Sequence, residues 1–302
     1  MKKILLAIMS LAMACGIGVA AVGCGGGNSG DEIHVFMRED GSGTRDAFEE
    51  KFGVESPLGS ADTHNSTSAM MNAVAGDVAS IGYASLGSVN TTVKKVTIGG
   101  VEASEENIYA NIEDSSTGYA YWRYFNLAYL EENMTGAEAN VLLQDFYEYI
   151  MSSDAQTAIE EEGYFSTTAT HSAYSADPAI DSLSGDAARL TVGGSSSVSP
   201  LMEVLVEDYE ALHTNVDITV QTLDSTAGAT NTISGTYDLG MLSRELKDEE
   251  KASLQNAYLA VDGIAVIVNN ENSVSDLTAA QVRDIFEGTI TTWSAITGSS
   301  EE

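Results

Sequence analysis

Apolar and polar positions along this chain alternate with two different periods, and the places where the period changes mark its elements. Ile33, Val35 and Met37 fall on every second position, as in a strand with one buried face, and Asp46 to Phe52 has the composition of a helix. Between them lies Asp40-Gly41-Ser42-Gly43-Thr44, a loop of small polar residues. The same design recurs far downstream. A strand at Leu190 to Val192 runs into Gly193-Gly194-Ser195-Ser196-Ser197, and Pro200 stands where a helix can begin. Leu201, Val204, Leu205, Tyr209 and Leu212 then form a helical apolar face.

The remaining pattern is also α/β. A helix is predicted over Ala69 to Ala75, strands over Ser80 to Tyr83 and Val93 to Ile98, and a short helix over Ser104 to Asn111. Asn65 or Ser66 can cap the first of these helices or face a ligand, and capping is the simpler role. Tyr119 to Leu130 is an aromatic-rich strand whose rings can stack on a ligand or line a buried crossover. Thr135-Gly136-Ala137-Glu138 has the form of a capping box for a helix reaching Met151, and Ser153 to Glu162 continues as a second helical piece. Thr167 to Ala187 shows no period and is expected to be a linker. Strands follow at Val216 to Leu223 and Tyr237 to Leu242. Leu259 to Val268 is a strand expected to break at Asp262-Gly263, and Thr278 to Gln281 caps a helix carrying Val282, Ile285 and Phe286.

The two Gly/Ser loops carry the candidate chemistry. Such a turn aims several backbone N–H groups into one concavity at the positive end of a helix, which suits an anion. Ser42 and Thr44 add hydroxyl donors, and Arg38 brings a planar fork matched to tetrahedral oxyanions. Either loop alone is equally an ordinary strand–turn–helix junction. Two of them suggest two half-sites facing one small anion.

Charge narrows the partners. The chain has 13 Lys+Arg against 45 Asp+Glu, a net charge of −32. The first residues, Lys2-Lys3 followed by an apolar run from Ile4 to Val22, read as a targeting signal, with Ala21-Val22-Gly23-Cys24 resembling a lipobox. A transmembrane anchor is the alternative, and Cys15 is a weaker cleavage site because it leaves a shorter apolar run. Cleavage before Cys24 removes two lysines and no acid, leaves one cysteine and so excludes an internal disulfide. The acidic balance argues against nucleic acid as a partner and against long-range gathering of anions. Any anion must be held by local dipoles and a few arginines. No G-x-S-x-G elbow, cysteine pair or histidine cluster is present, and His34, His64, His171 and His213 have no triad setting, so an enzyme is disfavoured.

A resemblance becomes specific at GSSSVSPLMEVL, DSTAG, DLGMLSRELKDEEK and LAVDGIAVIVNNENSVSDLTAAQVRDIFEGTITTW, which resemble the first half of PstS, the phosphate-binding component of an ABC transporter. REDGSGTRDAFEE and NSTSAMMNAVAGDVASIGYASLG resemble the second half of that family, so the halves stand in reversed order, as in a circular permutant of the family or a piece of a tandem array. The resemblance implies a type II periplasmic-binding-protein-like α/β fold, two domains each with a mixed sheet flanked by helices, and a ligand cleft between them. The organisation expected is a lipoprotein signal peptide at 1–23, a flexible tether at 24–30, a discontinuous domain from 31–117 plus 263–302, and a continuous domain at 118–262 containing the linker 167–187. Residues 263–302 should then pack beside Ile33 to Met37.

The resemblance also implies inorganic phosphate as ligand, membrane permease subunits as partners, and a monomer outside the cytoplasm held to the membrane by lipid on Cys24, with no cofactor, metal or catalytic residue. Carried over position by position, the phosphate ligands are Arg38, Ser42, Gly43 and Thr44 from one domain and Ser197, Val198, Ser225 and Ser243 from the other. Asp40 is placed to orient Arg38 or to cap the following turn. One departure stands out. Where well-known members carry an aspartate that accepts the phosphate proton, this chain has Ser243, with Asp262 or Asp224 as substitute acceptors. Binding of another oxyanion (sulfate, molybdate or tungstate) and a sensor or adhesin role are the alternatives.

Overall fold

The computed structural model describes residues 31–136, 139–167 and 171–298. The expected signal peptide at 1–23, the tether at 24–30 with Cys24, and Cys15 lie outside the described residues. Among the described residues no helix is long and apolar enough to cross a membrane.

The first stretch of chain runs β1 (His34–Arg38), α1 (Gly43–Phe52), β2 (Asp62–His64), α2 (Thr67–Gly76), β3 (Ser80–Ser85), β4 (Val93–Lys95), β5 (Thr97–Ile98) and α3 (Glu105–Glu113). It crosses over in β6 (Trp122–Tyr129), then makes α4 (Glu131–Met134), α5 (Val141–Ile150) and α6 (Ser153–Glu161). The second unit is β7 (Arg189–Ser195), α7 (Ser199–Leu212), β8 (Asp217–Leu223), α8 (Ser225–Ile233), β9 (Leu239–Leu242) and α9 (Asp248–Lys251). The chain returns through β10 (Gln255–Asn269) to β11 (Asp276–Leu277), α10 (Ala279–Phe286) and α11 (Ser294–Thr297).

The main sheet has the order β2-β1-β3-β10-β6-β9-β7-β8, with β4 also on β10. Its two ends repeat one plan. β1 lies between parallel β2 and β3, and β7 lies between parallel β8 and β9, while the central β10 and β6 are antiparallel to each other and to the neighbouring β3 and β9. Each middle strand leads at its carboxyl end into a loop and helix, the position where open α/β sheets bind ligands.

Buried apolar side chains gather in two large clusters. One joins residues between Ile33 and Tyr119 to Phe165 and to residues between Val261 and Trp293; the other lies between Phe125 and Ala260. The carboxyl segment lies beside β1: Ile33 N–H donates to Thr291 O at 2.8 Å and Trp293 N–H to Asp31 O at 2.9 Å.

The structure bears on several local expectations. β10 does not break at Asp262-Gly263. Asp262 stands opposite Arg123 of β6 in the ladder and pairs with it, while a side chain at Gly263 would collide with Leu86 and Ile108, so the glycine lets those residues pack on the strand. The helix reaching Ile150, α5, is capped by Asn140, whose side chain accepts from Leu143 N–H; Thr135 and Gly136 precede it, and Ala137 and Glu138 lie outside the described residues. Val93 to Ile98 forms two short strands: Val93 to Lys95 pair with β10, on which Val96 N–H still donates to Val266 O, and Thr97 and Ile98 then pair with β11. The segment read as a linker, in its described part, packs on α5 and α7: Ile180 is fully buried, Tyr174 donates to Asp145, and Asp181 pairs with His213 at 2.9 Å. The aromatic run is a buried crossover, with Tyr119 donating to Ile264 O at 2.8 Å and Tyr121 stacked on Phe52.

Candidate functional site: a buried hydroxyl cluster between the two units

The loop after β1 turns on Gly41, whose φ of +87° favours glycine, and ends at Ser42, the N-cap of α1. Ser42 Oγ accepts from Arg45 N–H at 3.4 Å. Gly43 and Thr44 are thus the first residues of the helix, where amides have no carbonyl behind them and the dipole is positive. The loop after β7 turns at Gly194, with φ +139°, and delivers Ser195, Ser196 and Ser197 to the start of α7. The small residues serve the same end in both loops, bringing backbone and hydroxyls close to a common point.

That point is where the two units meet. Thr44 Oγ1 lies 2.8 Å from Ser197 Oγ, which lies 3.1 Å from Thr67 Oγ1 at the start of α2. Arg38 Nη1 donates to Thr67 Oγ1 at 3.3 Å and Nη2 to Ser196 Oγ at 3.0 Å. On the other side, Ser195 Oγ donates to Ser243 Oγ at 2.9 Å, Ser243 N–H donates to Ser225 Oγ at 3.0 Å, and the Ser225 and Ser243 hydroxyls are 3.4 Å apart. Gly43 faces this pair. A Cβ there would stand 2.3 Å from Ser225 Oγ and 2.8 Å from Ser243 Oγ, so only glycine allows the approach. Ser197, Ser225 and Ser243 are fully buried, and Arg38 is 2% exposed. A hydroxyl can donate or accept, so this network can turn its protons toward an anion without moving heavy atoms.

Arg38 is oriented by Glu39, not by Asp40. Glu39 receives Nε at 2.8 Å and Nη2 at 2.7 Å, a bidentate pair, and His64 O receives Nε at 3.2 Å. Asp40 is directed away and pairs with Arg45 at 2.6 Å, with its side chain 97% exposed. Burial lowers the pKa of His64, with Asp62 opposing and Arg38 adding to the effect, which keeps a second cation from forming beside Arg38.

Of the sequence-predicted residues, Arg38, Gly43, Thr44, Ser197, Ser225 and Ser243 come together, and Ser42 caps the helix beside them. Val198 is the exception: its amide donates to Ser195 O at 3.0 Å and its side chain lies in the second core, so the tight turn into α7 occupies the group expected to face a ligand. The substitute acceptors are also engaged. Asp224 caps α8 through Ala227 N–H at 2.8 Å. Asp262 receives Ser85 Oγ at 2.8 Å and both Nε and Nη2 of Arg123. Burial raises the Asp262 pKa, while Arg123 and Ser85 pull it back. Sequence reasoning missed Thr67, Ser195, Ser196 and Glu39 as site members. The hydroxyls stand in the right stretches, and the strand ends decide which of them face inward. Burial raises the Tyr164 phenol to about 12, so it remains a donor, to Ser197 O at 3.3 Å, at neutral pH.

The chain is similar to known proteins. A family profile described as a PBP superfamily domain matches residues 169–302. Phosphate-binding protein PstS 2 of Streptococcus agalactiae is 38% identical over 307 residues, covering 97% of this chain and 98% of that protein. The crystal structure of a phosphate ABC transporter phosphate-binding protein from Streptococcus pneumoniae superposes with a TM-score of 0.66 at 36% identity, covering 88% of this chain and 99% of that one. An end-to-end match requires the halves in the same order, so the order here is shared with the S. agalactiae relative. PstS of Pseudomonas aeruginosa, by contrast, is 33% identical over 124 residues, 37% of this chain and 38% of its own.

Proposed function

This chain belongs to the PstS family of phosphate-binding proteins, and on that premise we propose that it captures inorganic phosphate between its two strand–loop–helix units and delivers it to the permease of an ABC importer. The observation that carries the reading is the buried cluster in which Arg38 and Thr44 of one unit meet Ser197, Ser225 and Ser243 of the other. In this reading Arg38 gives the charge-assisted bond, Thr44, Ser197 and Ser225 give hydroxyl bonds, the Gly43 and Thr44 amides complete the cradle, and Ser42 fixes their helix. Ser243 both accepts and donates. Val198 has no ligand contact.

The domains proposed are 31–117 plus 263–302 and 118–262, with the ligand at their junction. The protein acts outside the cytoplasm as a binding protein, without a catalytic step, as a monomer tethered by lipid on Cys24. A second reading, capture of another oxyanion, is favoured by one observation: Asp224 and Asp262 are both engaged elsewhere, so an acceptor for a ligand proton rests on hydroxyls such as Ser243 and not on a carboxylate.

Calorimetric titration with phosphate and then sulfate near neutral pH separates the two. One-to-one phosphate binding with sulfate at least about tenfold weaker, a difference of about 1.4 kcal/mol, supports the phosphate reading. Equal or tighter sulfate binding changes the ligand, and binding of neither anion overturns both.

A further inference from the structure

Asp46 has no part in the cluster above, yet it carries an ion pair between the two units. It lies in the first turn of α1, three residues beyond Gly43, with Oδ2 at 3.1 Å from Arg244 Nε and 3.2 Å from Lys247 Nζ, a contact of charges in which neither Asp46 Oδ2 nor Arg244 Nε makes a hydrogen bond. Arg244 immediately follows Ser243. It is 5% exposed and already fixed within its own unit: Glu250 receives Nη1 at 2.7 Å and Nη2 at 2.8 Å, and Glu245 O receives Nη1 at 2.9 Å. Beside this contact, Thr226 N–H and Oγ1 both donate to Gly41 O at 3.2 Å, again from one unit to the other.

We infer that Asp46 is a positioning residue for ligand retention: its pair with Arg244 and Lys247 holds the two units together over a bound anion and sets how slowly the anion leaves. This rests on the phosphate-binding reading. The geometry couples the two events. Gly43 and Asp46 are on one turn of α1, and Ser243 and Arg244 are adjacent, so the movement that brings Gly43 against Ser225 and Ser243 also brings Asp46 to Arg244. Arg244 keeps its Glu250 partner when the units part, so opening breaks the cross-unit contact without leaving a bare buried guanidinium. Because the pair exists only when the units meet, it acts on dissociation, while the encounter is governed by the open form. Asp46 and Lys247 are partly exposed, so the contribution is screened by salt.

The test is release of radiolabelled phosphate from the full chain, chased with unlabelled phosphate, in wild type, Asp46→Asn and Lys247→Met. The expected result is a dissociation rate raised roughly threefold to thirtyfold in Asp46→Asn, with the association rate within about twofold and the ligand-free melting temperature unchanged. Lys247→Met shows a smaller rise, and both rises shrink at high salt. An unchanged dissociation rate in Asp46→Asn, or an effect confined to ligand-free stability, overturns the inference. Failure of the wild type to bind phosphate instead refutes the reading on which it rests.

Discussion

Substitution of Gly43 by alanine should weaken phosphate binding without weakening the fold. Gly43 opens α1 within the helix and is absent from the positive-φ glycines, so alanine meets no backbone strain there. Helix propensity favours alanine by about 0.5–1 kcal/mol in a helix interior and by less in the first turn. All the cost arises across the junction. The added methyl would stand 2.3 Å from Ser225 Oγ, 2.8 Å from Ser243 Oγ and 2.9 Å from Ser225 Cβ, each well inside contact distance. The neighbours are fully buried and tied by hydrogen bonds, so they cannot swing aside as a flexible chain end would. Relieving the overlap requires the units to part, at the cost of an overpacked contact, about 1–3 kcal/mol. At about 1.4 kcal/mol per factor of ten, phosphate affinity falls roughly fivefold to 150-fold. The assay pairs calorimetric titration with thermal unfolding of the ligand-free protein. Wild-type affinity in Gly43→Ala would refute the reasoning, since it would mean that the bound state does not use the close approach of Gly43 to Ser225 and Ser243. A large fall in ligand-free melting temperature would refute it as well.

Other predictions follow from the same geometry. Glu39→Gln should weaken phosphate binding by about tenfold or more, because a bidentate charged partner of Arg38 is lost. Asp40→Asn should stay within about twofold, as expected for an exposed ion pair; equal titration curves for the two variants would contradict the assignment. Arg123→Met should lower unfolding free energy by about 3–5 kcal/mol by leaving Asp262 buried without its cation, read as a shift in the urea midpoint. For His64 the folded pKa lies below its ordinary value of 6.5, so the unfolded chain binds the proton more readily. Its contribution to stability is therefore full above pH 6.5 and is lost as pH falls through the lower folded pKa. Between these limits His64→Gln should show a shallower loss of stability on acidification than wild type in parallel denaturant titrations.

Much of this site is written locally in the chain. The β1–α1 and β7–α7 units are legible because alternation, a run of small residues and a helix start fall within about 20 residues of each other. Arg38, Thr44, Ser197 and Ser225 are legible for the same reason. What the sequence hides is direction. Glu39 and Asp40 are adjacent acids after a strand end, and the turn at Gly41 decides that one pairs with Arg38 and the other with Arg45. Thr67 stands one residue past its helix cap and joins the site only because α2 starts beside Arg38.

Long-range pairing is hidden too. Asp262 looked like a strand breaker because its partner, Arg123, is 139 positions away. The segment before β7 lacks a period because single contacts hold it, such as Ile180 in the second core and Asp181 on His213. Val198 shows the opposite error. A position can match a binding motif while a tight local turn takes its amide.

The most direct measurement is a crystal structure with phosphate bound. The prediction is an anion within hydrogen-bonding distance of Arg38 and Thr44 from one unit and of Ser197 and Ser225 from the other, with Gly43 closed against it. Phosphate held by one unit alone, or at a place remote from Arg38, would contradict the two-half-site account.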